Sequence, residues 1–232
     1  MKINMVGIIG AMRVEIEGLC SLIDKCVVKK YNNKDFYTGY INNTQVVVVE
    51  CGIGKVNAAI TTSILCEKFN IDYIINTGLA GGINVNTFDM IIGDKLVYHD
   101  FDITALGYKK GVIPNLGREF ETDKLLKDIS IKIAKEKGIP YHVGNIASGD
   151  LFATNISILD GLDMDIKAVE MEGCAIAHTA KIFNKPFIVL RVISDILNSN
   201  NQSASYNEVE KKAADYAIIF VFEIIKKLVL TK

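Results

Sequence analysis

The sequence predicts a three-layer α/β sandwich, a mixed central β-sheet flanked by helices, in one domain covering residues 1–232. Three observations carry that prediction. Apolar runs of strand length alternate with segments of helical apolar spacing through most of the chain. No Pro/Ser-rich linker and no internal repeat interrupts the alternation. Ionic residues stand where apolar runs end, at Glu170 and Glu172 and again at Arg191 and Asp195. In α/β sheets that rim is where ligands bind.

Taken in order, Ile3–Ile9 is a buried strand, and Met12 to Asp24 is an amphipathic segment. Ile3–Met12 has the apolarity of a signal peptide, but Arg13, Glu15 and Glu17 break it, so the strand is the better reading. Phe36–Ile41 and Thr44–Glu50 form an antiparallel hairpin with Asn42-Asn43 at its turn. Gly52-Ile53-Gly54-Lys55 opens a helix from Val56 to Phe69. Tyr73–Asn76 is a short strand that ends in the glycine-rich Thr77–Gly82, and Ile91–Tyr98 is another strand. From His99 to Glu121 the chain is polar and irregular, with Pro114 inside it; a stretch of that length serves as a lid or an interface. Leu125–Lys137 is a helix and His142–Ala147 a strand. Ile166–Val169 is a strand that leads into a helix starting near Glu170 and continuing through Ala175–Phe183. Phe187–Ile193 is the last strand, and Tyr206–Val229 a long terminal helix.

Composition narrows the function. A net charge of −1 with no basic stripe argues against nucleic-acid binding; Lys109-Lys110 and Lys211-Lys212 are solvated pairs. No apolar stretch reaches the ~18–20 residues that span a bilayer, so a soluble protein without membrane partners is expected. Five cysteines without a CxxC pair are expected to be reduced and buried, as in the cytoplasm. Three scattered histidines offer no metal-ligand spacing, so neither metal nor cofactor is expected.

The glycine clusters Gly52-Ile53-Gly54 and Gly78-Leu79-Ala80-Gly81-Gly82 are turns by default, since they lack the P-loop and GxGxxG patterns. The ionic residues say more. Glu15, Glu170 and Glu172 each suit a helix N-terminus, and Asp195 suits an N-cap. Arg191 inside an apolar run requires a buried carboxylate, for which Glu15 and Glu172 are the candidates. Several carboxylates and an arginine on strand ends point to acid/base chemistry on a small polar substrate.

Seven blocks in order make the pattern specific: Gly7–Met12 with Glu15, Cys51–Ala59, Ile75–Gly82, Tyr98-His99-Asp100, Ser148-Gly149-Asp150, Val169–Glu172 and Arg191–Asp195. Over essentially its whole length the chain resembles the 5′-methylthioadenosine/S-adenosylhomocysteine nucleosidase family, within the purine nucleoside phosphorylase-like superfamily. The resemblance implies a nucleoside phosphorylase-like fold. It also implies hydrolysis of the bond between adenine and a 5′-thio-substituted ribose, and the same expectation extends to 5′-deoxyadenosine.

Site roles follow from the same resemblance. Asp195 would protonate purine N7 with help from Ser194, and so must carry a proton when substrate binds. Glu15 would take a proton from the attacking water, and Arg191 would orient water and carboxylates. Glu172 would accept from the ribose hydroxyls and favour positive charge on the sugar. Met171 would pack on the ribose, Phe152 would stack on adenine, and the backbone of Ala153 would read the base edge. Ala11, Leu79, Gly81 and Glu170 would complete the walls, with Ile53 and Tyr206 around the sugar and its 5′ group. The family is a homodimer, in which Leu106, Tyr108 and Pro114 would reach the partner's pocket.

Two positions depart from the family pattern. Leu79 replaces the usual Ser or Thr and removes a hydroxyl near water and ribose, and Leu106 replaces a common aromatic. Three other readings share the scaffold or the pocket. A nucleoside phosphorylase would need arginines around phosphate, and this chain has only Arg13, Arg118 and Arg191. An aminodeoxyfutalosine nucleosidase would use the same core residues. A silent nucleoside sensor would be consistent with Leu79.

Overall fold

The computed structural model describes residues 5–198 and 202–230, with backbone alone for 202–208 and 229–230. In chain order the elements are β1 (Val6–Gly10), α1 (Arg13–Ser21), β2 (Asp24–Tyr31), β3 (Lys34–Ile41), β4 (Thr44–Glu50) and α2 (Lys55–Lys68). Then come β5 (Tyr73–Gly82), β6 (Met90–Tyr98), β7 (Phe120–Glu121), α3 (Lys124–Lys137) and β8 (Tyr141–Ser148). The remainder is β9 (Ile166–Glu170), α4 (Gly173–Ile182), β10 (Phe187–Ile196) and α5 (Gln202–Leu230).

Strand periodicity builds the layers. Side chains alternate across a sheet, so a strand apolar at every position serves two cores. Val47, Val49, Ile74, Phe187 and Val189 pack on the side of α2 and α4. Val46, Val48, Ile75, Ile188 and Leu190 pack on the side of α1, α3 and α5. The result is a three-layer α/β arrangement with a mixed sheet in the middle.

β5 organises the sheet. Its first half lies between β1 and β10, parallel to both. Past Asn76 β1 stops, and β9 takes its place against Gly81 and Gly82, antiparallel. The strands β5, β10, β6, β8 and β9 therefore pair in a closed ring, and β1, β4, β3 and β2 extend from it as an open wing. Between the end of β1 and the start of the β9 pairing, one edge of β5 has no strand beside it. That interval, Thr77 to Ala80, is where the site forms.

Five elements differ from the sequence expectations, the least of them the two-residue β7 inside the stretch read as irregular. Asp24–Tyr31 is a strand where no element is predicted; it is an edge strand exposed along most of its length, so it carries no apolar periodicity. β5 runs on through the glycines to Gly82, because pairing with β10 and β9 keeps them extended. α4 begins at Gly173 and not near Glu170, which still belongs to β9. β10 continues to Ile196, so Asp195 is a strand residue and not an N-cap. Among the described residues no helix is long and apolar enough to cross a membrane.

Candidate active site

Six loops and strand ends converge on a cavity of about 280 Å³ beside the free edge of β5. Glu15, Leu79, Met171, Glu172, Ser194 and Asp195 line it, together with Ala11, Ile53, Gly81, Phe152, Ala153 and Glu170. Its walls are mostly apolar with a few convergent polar groups, the usual composition of a small-molecule site.

Glu15 sits in the first turn of α1. Its Oε2 accepts from the backbone N–H of Ala11 (2.7 Å) and of Met12 (3.0 Å), the reach-back that caps a helix start. Its Oε1 accepts from Leu79 N–H at 3.1 Å, a donor left unpaired where β1 ends. The expected helix-start role is thus real, but the carboxylate also bridges to β5. Glycine at 78 permits this, because a Cβ there would stand 2.7 Å from Glu15 Oε1. Burial pushes the Glu15 carboxyl up, outweighing the opposing pull of Arg191 and of the three backbone donors. A carboxylate raised in this way is a better base near neutrality.

Arg191 has a different partner from either predicted candidate. Its Nη2 donates to Glu170 Oε2 and to Asn76 Oδ1 (2.6 Å), and its Nη1 to Leu190 O (2.9 Å). The candidates Glu15 and Glu172 make no hydrogen bond to it, although both hold its charge together with Glu170, against the cost of burial. Arg191 does not line the cavity; it stands behind the wall. Register explains the choice: Arg191 lies opposite Gly78 on β5, on the face shared by Ile74 and Asn76.

Glu170 is the hub of this hidden layer. Its Oε1 accepts from Ser148 Oγ, and its Oε2 accepts from Arg191 and from the N–H groups of Glu172 (3.0 Å) and Gly173 (2.7 Å). Ser148 Oγ in turn accepts from Cys174 N–H at 2.7 Å. Although Glu170 reaches the cavity wall, its carboxylate is committed to the protein.

Glu172 is as buried as Glu170, but its carboxylate is less committed to the protein. Its Oε1 accepts from Gly54 N–H at 2.7 Å, across from the start of α2. Burial, reinforced by the nearby Glu170 charge, raises its pKa to about 8 despite Arg191 and the Gly54 donor. Asp195 follows a bulge at Ser194, where the register between β10 and β5 slips and re-aims the strand. Ser194 Oγ lies 2.6 Å from Asp195 Oδ1 and 3.3 Å from Ala80 O. The Ser194 hydroxyl thus donates to Asp195 Oδ1, with Ala80 O as its more distant second acceptor.

The remaining predicted residues divide clearly. Phe152 and Ile53 are about half exposed at the rim, and Leu79 is buried in the wall. Leu106, Tyr108 and Pro114 lie on the irregular segment, exposed and outside this cavity. Tyr206 is on α5, but its side chain lies outside the described residues. Asn76, Ser148 and Gly54 support the site, yet the sequence reading assigns them no role. An amide within Ile74-Ile75-Asn76, fully buried, was the available signal, since a polar group there needs a partner. Met12, Ala80, Leu151 and Val169 also line the cavity and have no distinguishing signal. No cluster of potential metal ligands occurs among the described residues.

A closed strand ring with a winged sheet, and a carboxylate-lined cavity at its rim, define a member of the phosphorylase superfamily, whose sequence profile matches residues 5–226. A Staphylococcus haemolyticus 5′-methylthioadenosine/S-adenosylhomocysteine nucleosidase is 40% identical over 230 residues, covering 97% of this chain and 100% of that protein. The Neisseria meningitidis nucleosidase of the same name, solved with methylthio-immucillin-A, superposes with a TM-score of 0.92 at 34% identity, covering 97% of this chain and 99% of that one. Futalosine hydrolase of Helicobacter pylori is also similar, with a TM-score of 0.90 at 28% identity over 97% of this chain and 98% of that one. The chain belongs to the 5′-methylthioadenosine/S-adenosylhomocysteine nucleosidase family.

Proposed function

We propose that this protein hydrolyses the N-glycosidic bond of 5′-methylthioadenosine and S-adenosylhomocysteine, and of 5′-deoxyadenosine, releasing adenine and the 5′-substituted ribose. One observation carries the reading: Glu15, Glu172 and Asp195 line one cavity of nucleoside scale. Cleavage separates charge, positive on the sugar and negative on the leaving base, and the cavity offers a group for each. Asp195 donates a proton to adenine N7 as the C1′–N9 bond breaks, with the Ser194 hydroxyl donating to its Oδ1 and orienting the carboxyl. Water adds to C1′ and gives its proton to Glu15. The proton then returns from Glu15 to Asp195 through solvent, which resets the pair. Glu172 accepts from the ribose hydroxyls through the oxygen not bound to Gly54. Arg191 acts through Glu170, which fixes the Glu172 backbone, and its charge steadies Glu15.

Phe152 stacks on the base, Ala153 presents backbone to its edge, and Met171 packs beneath the ribose. Ile53 borders the 5′ group. The exposed Leu106, Tyr108 and Pro114 complete that end in a homodimer, each subunit closing its partner's pocket. The 232 residues act as one nucleosidase domain in the cytoplasm, in methionine salvage, with no metal or cofactor.

Phosphorolysis fits less well. None of the three arginines lines the cavity, so the guanidinium groups that hold a phosphate dianion in such sites are missing from its lining. Incubation with methylthioadenosine, with and without phosphate, separates the readings. Free adenine and unphosphorylated thioribose in both samples support hydrolysis. A sugar 1-phosphate identifies a phosphorylase, and unchanged ligand identifies a sensor. The likeness to futalosine hydrolase makes aminodeoxyfutalosine the competing substrate, and relative kcat/KM for the two nucleosides decides between them.

A further inference from the structure

Beside the cavity, and outside its lining, lies a charged ring that the reaction scheme leaves unused. Lys55 Nζ donates to Asp100 Oδ2 at 2.5 Å and stands 3.7 Å from Asp150 Oδ2. Asp100 Oδ2 also accepts from Asp150 N–H at 2.9 Å, and Asp150 Oδ1 accepts from Lys55 N–H at 2.8 Å. The ring ties the start of α2 to the chain beyond β6 and beyond β8. Within it sits the Gly52-Ile53-Gly54 turn, whose two glycines take φ of +83° and +96°. Gly52 N–H donates to Ala11 O at 3.0 Å and Ile53 O accepts from Asn57 Nδ2 at 2.8 Å, which holds the near end of the turn, whereas its last glycine is free to leave such angles unless the ring fixes it. Its far end carries the Gly54 N–H that donates to Glu172.

We propose that Lys55 is a positioning residue for ribose recognition: clamped by Asp100 and Asp150, it holds the α2 start so that Gly54 N–H occupies one oxygen of Glu172 and leaves the other for the sugar hydroxyls. The charges require a cation at this point. Without it, Asp100 and Asp150 face one another beside the acidic cavity, their repulsion opens the ring, and the turn is released. Glu172 then loses its fixed donor, and its second oxygen no longer faces the sugar in one orientation. Lys55 does not line the cavity, whose base side is formed by Phe152 and Ala153, so binding of adenine alone should change less than binding of the nucleoside.

This inference rests on the nucleosidase reading, and the test keeps the two apart. Wild-type protein, Lys55→Met and Lys55→Arg are compared for KM and kcat with methylthioadenosine and for the Kd of adenine by calorimetry. Met retains the aliphatic stem, and Arg retains charge and donors. Loss of one hydrogen bond to a charged group corresponds to about a 10-fold effect. K55M is therefore expected to raise KM roughly 10-fold with a smaller change in kcat, to leave adenine Kd within about 2-fold, and to be rescued by K55R. Unchanged KM in K55M overturns the proposal. An equal loss of adenine affinity does so too, because it shows a general collapse of the pocket. If K55M does not fold, Asp100→Asn, which keeps an acceptor for Lys55 while weakening the clamp, must show the same KM rise with adenine affinity preserved. A wild-type protein that cleaves no adenine thioether sinks the functional reading instead.

Discussion

Replacing Glu170 by Gln removes the countercharge of Arg191 with almost no change in shape. Both side chains are only 2–3% exposed, so water cannot compensate for the loss. Removing one partner of a buried pair costs about 3–5 kcal/mol. Glu170 also accepts from Ser148 and from two backbone N–H groups, and an amide offers one acceptor oxygen in place of two. On the other side, Glu15 and Glu172 remain close enough to hold the Arg191 charge, which favours the lower figure. We expect a loss of about 3 kcal/mol, or a Tm lower by roughly 6–12 °C for a chain of this length. Thermal and urea unfolding of the parent, E170Q, R191M and the double variant measure it. In the double variant neither charge is stranded, so its loss should fall short of the sum of the singles by about 2 kcal/mol or more. E170Q within about 1 kcal/mol of the parent, or strict additivity in the cycle, refutes the buried-pair argument.

Asp195→Asn removes the proton donor and Glu15→Gln the proton acceptor; each should lower kcat by about 10²–10⁴-fold with near-parental circular dichroism, and a wild-type rate in either overturns that residue's role. Glu172 supplies a pH signature. Its pKa of about 8 in the fold lies above the ordinary 4.5, so between these values the folded protein keeps a proton the unfolded chain has lost. Stability from this group is full below pH 4.5 and falls as pH rises to about 8, by at most about 1.4 kcal/mol per unit. Glu172→Gln should flatten that part of the curve in chemical denaturation, and an unchanged slope contradicts the assignment. Leu106, 74% exposed, tests the dimer: Leu106→Glu should shift sedimentation toward monomer and raise KM together. A dimer of unchanged strength with unchanged KM rules out its contact with the partner's pocket.

Much of the fold was legible because the core strands are apolar at consecutive positions, which period and length identify as buried strands between helices. β2 was not, since an exposed edge strand carrying Lys29 and Lys30 has no buried face to mark it. Gly78–Gly82 read as a turn because glycine suits one; only tertiary pairing keeps it extended. At the site, residue types announced the chemistry, and twelve of the predicted positions meet in one cavity. The pairing of Arg191 was beyond the sequence, because four acidic residues lie near strand ends and only strand register selects Glu170. Lys55, Asp100 and Asp150 each fall in a block that carries the family resemblance, but no role attaches to them until three loops bring them together.

The most direct measurement is a crystal structure with a non-hydrolysable 5′-methylthioadenosine analogue. Asp195 should lie within hydrogen-bonding distance of the purine N7 position, with Glu15 bound to a water facing C1′ and Glu172 on the ribose hydroxyls. A nucleoside bound elsewhere, or seated with its base toward Glu15 and its sugar toward Asp195, contradicts the account.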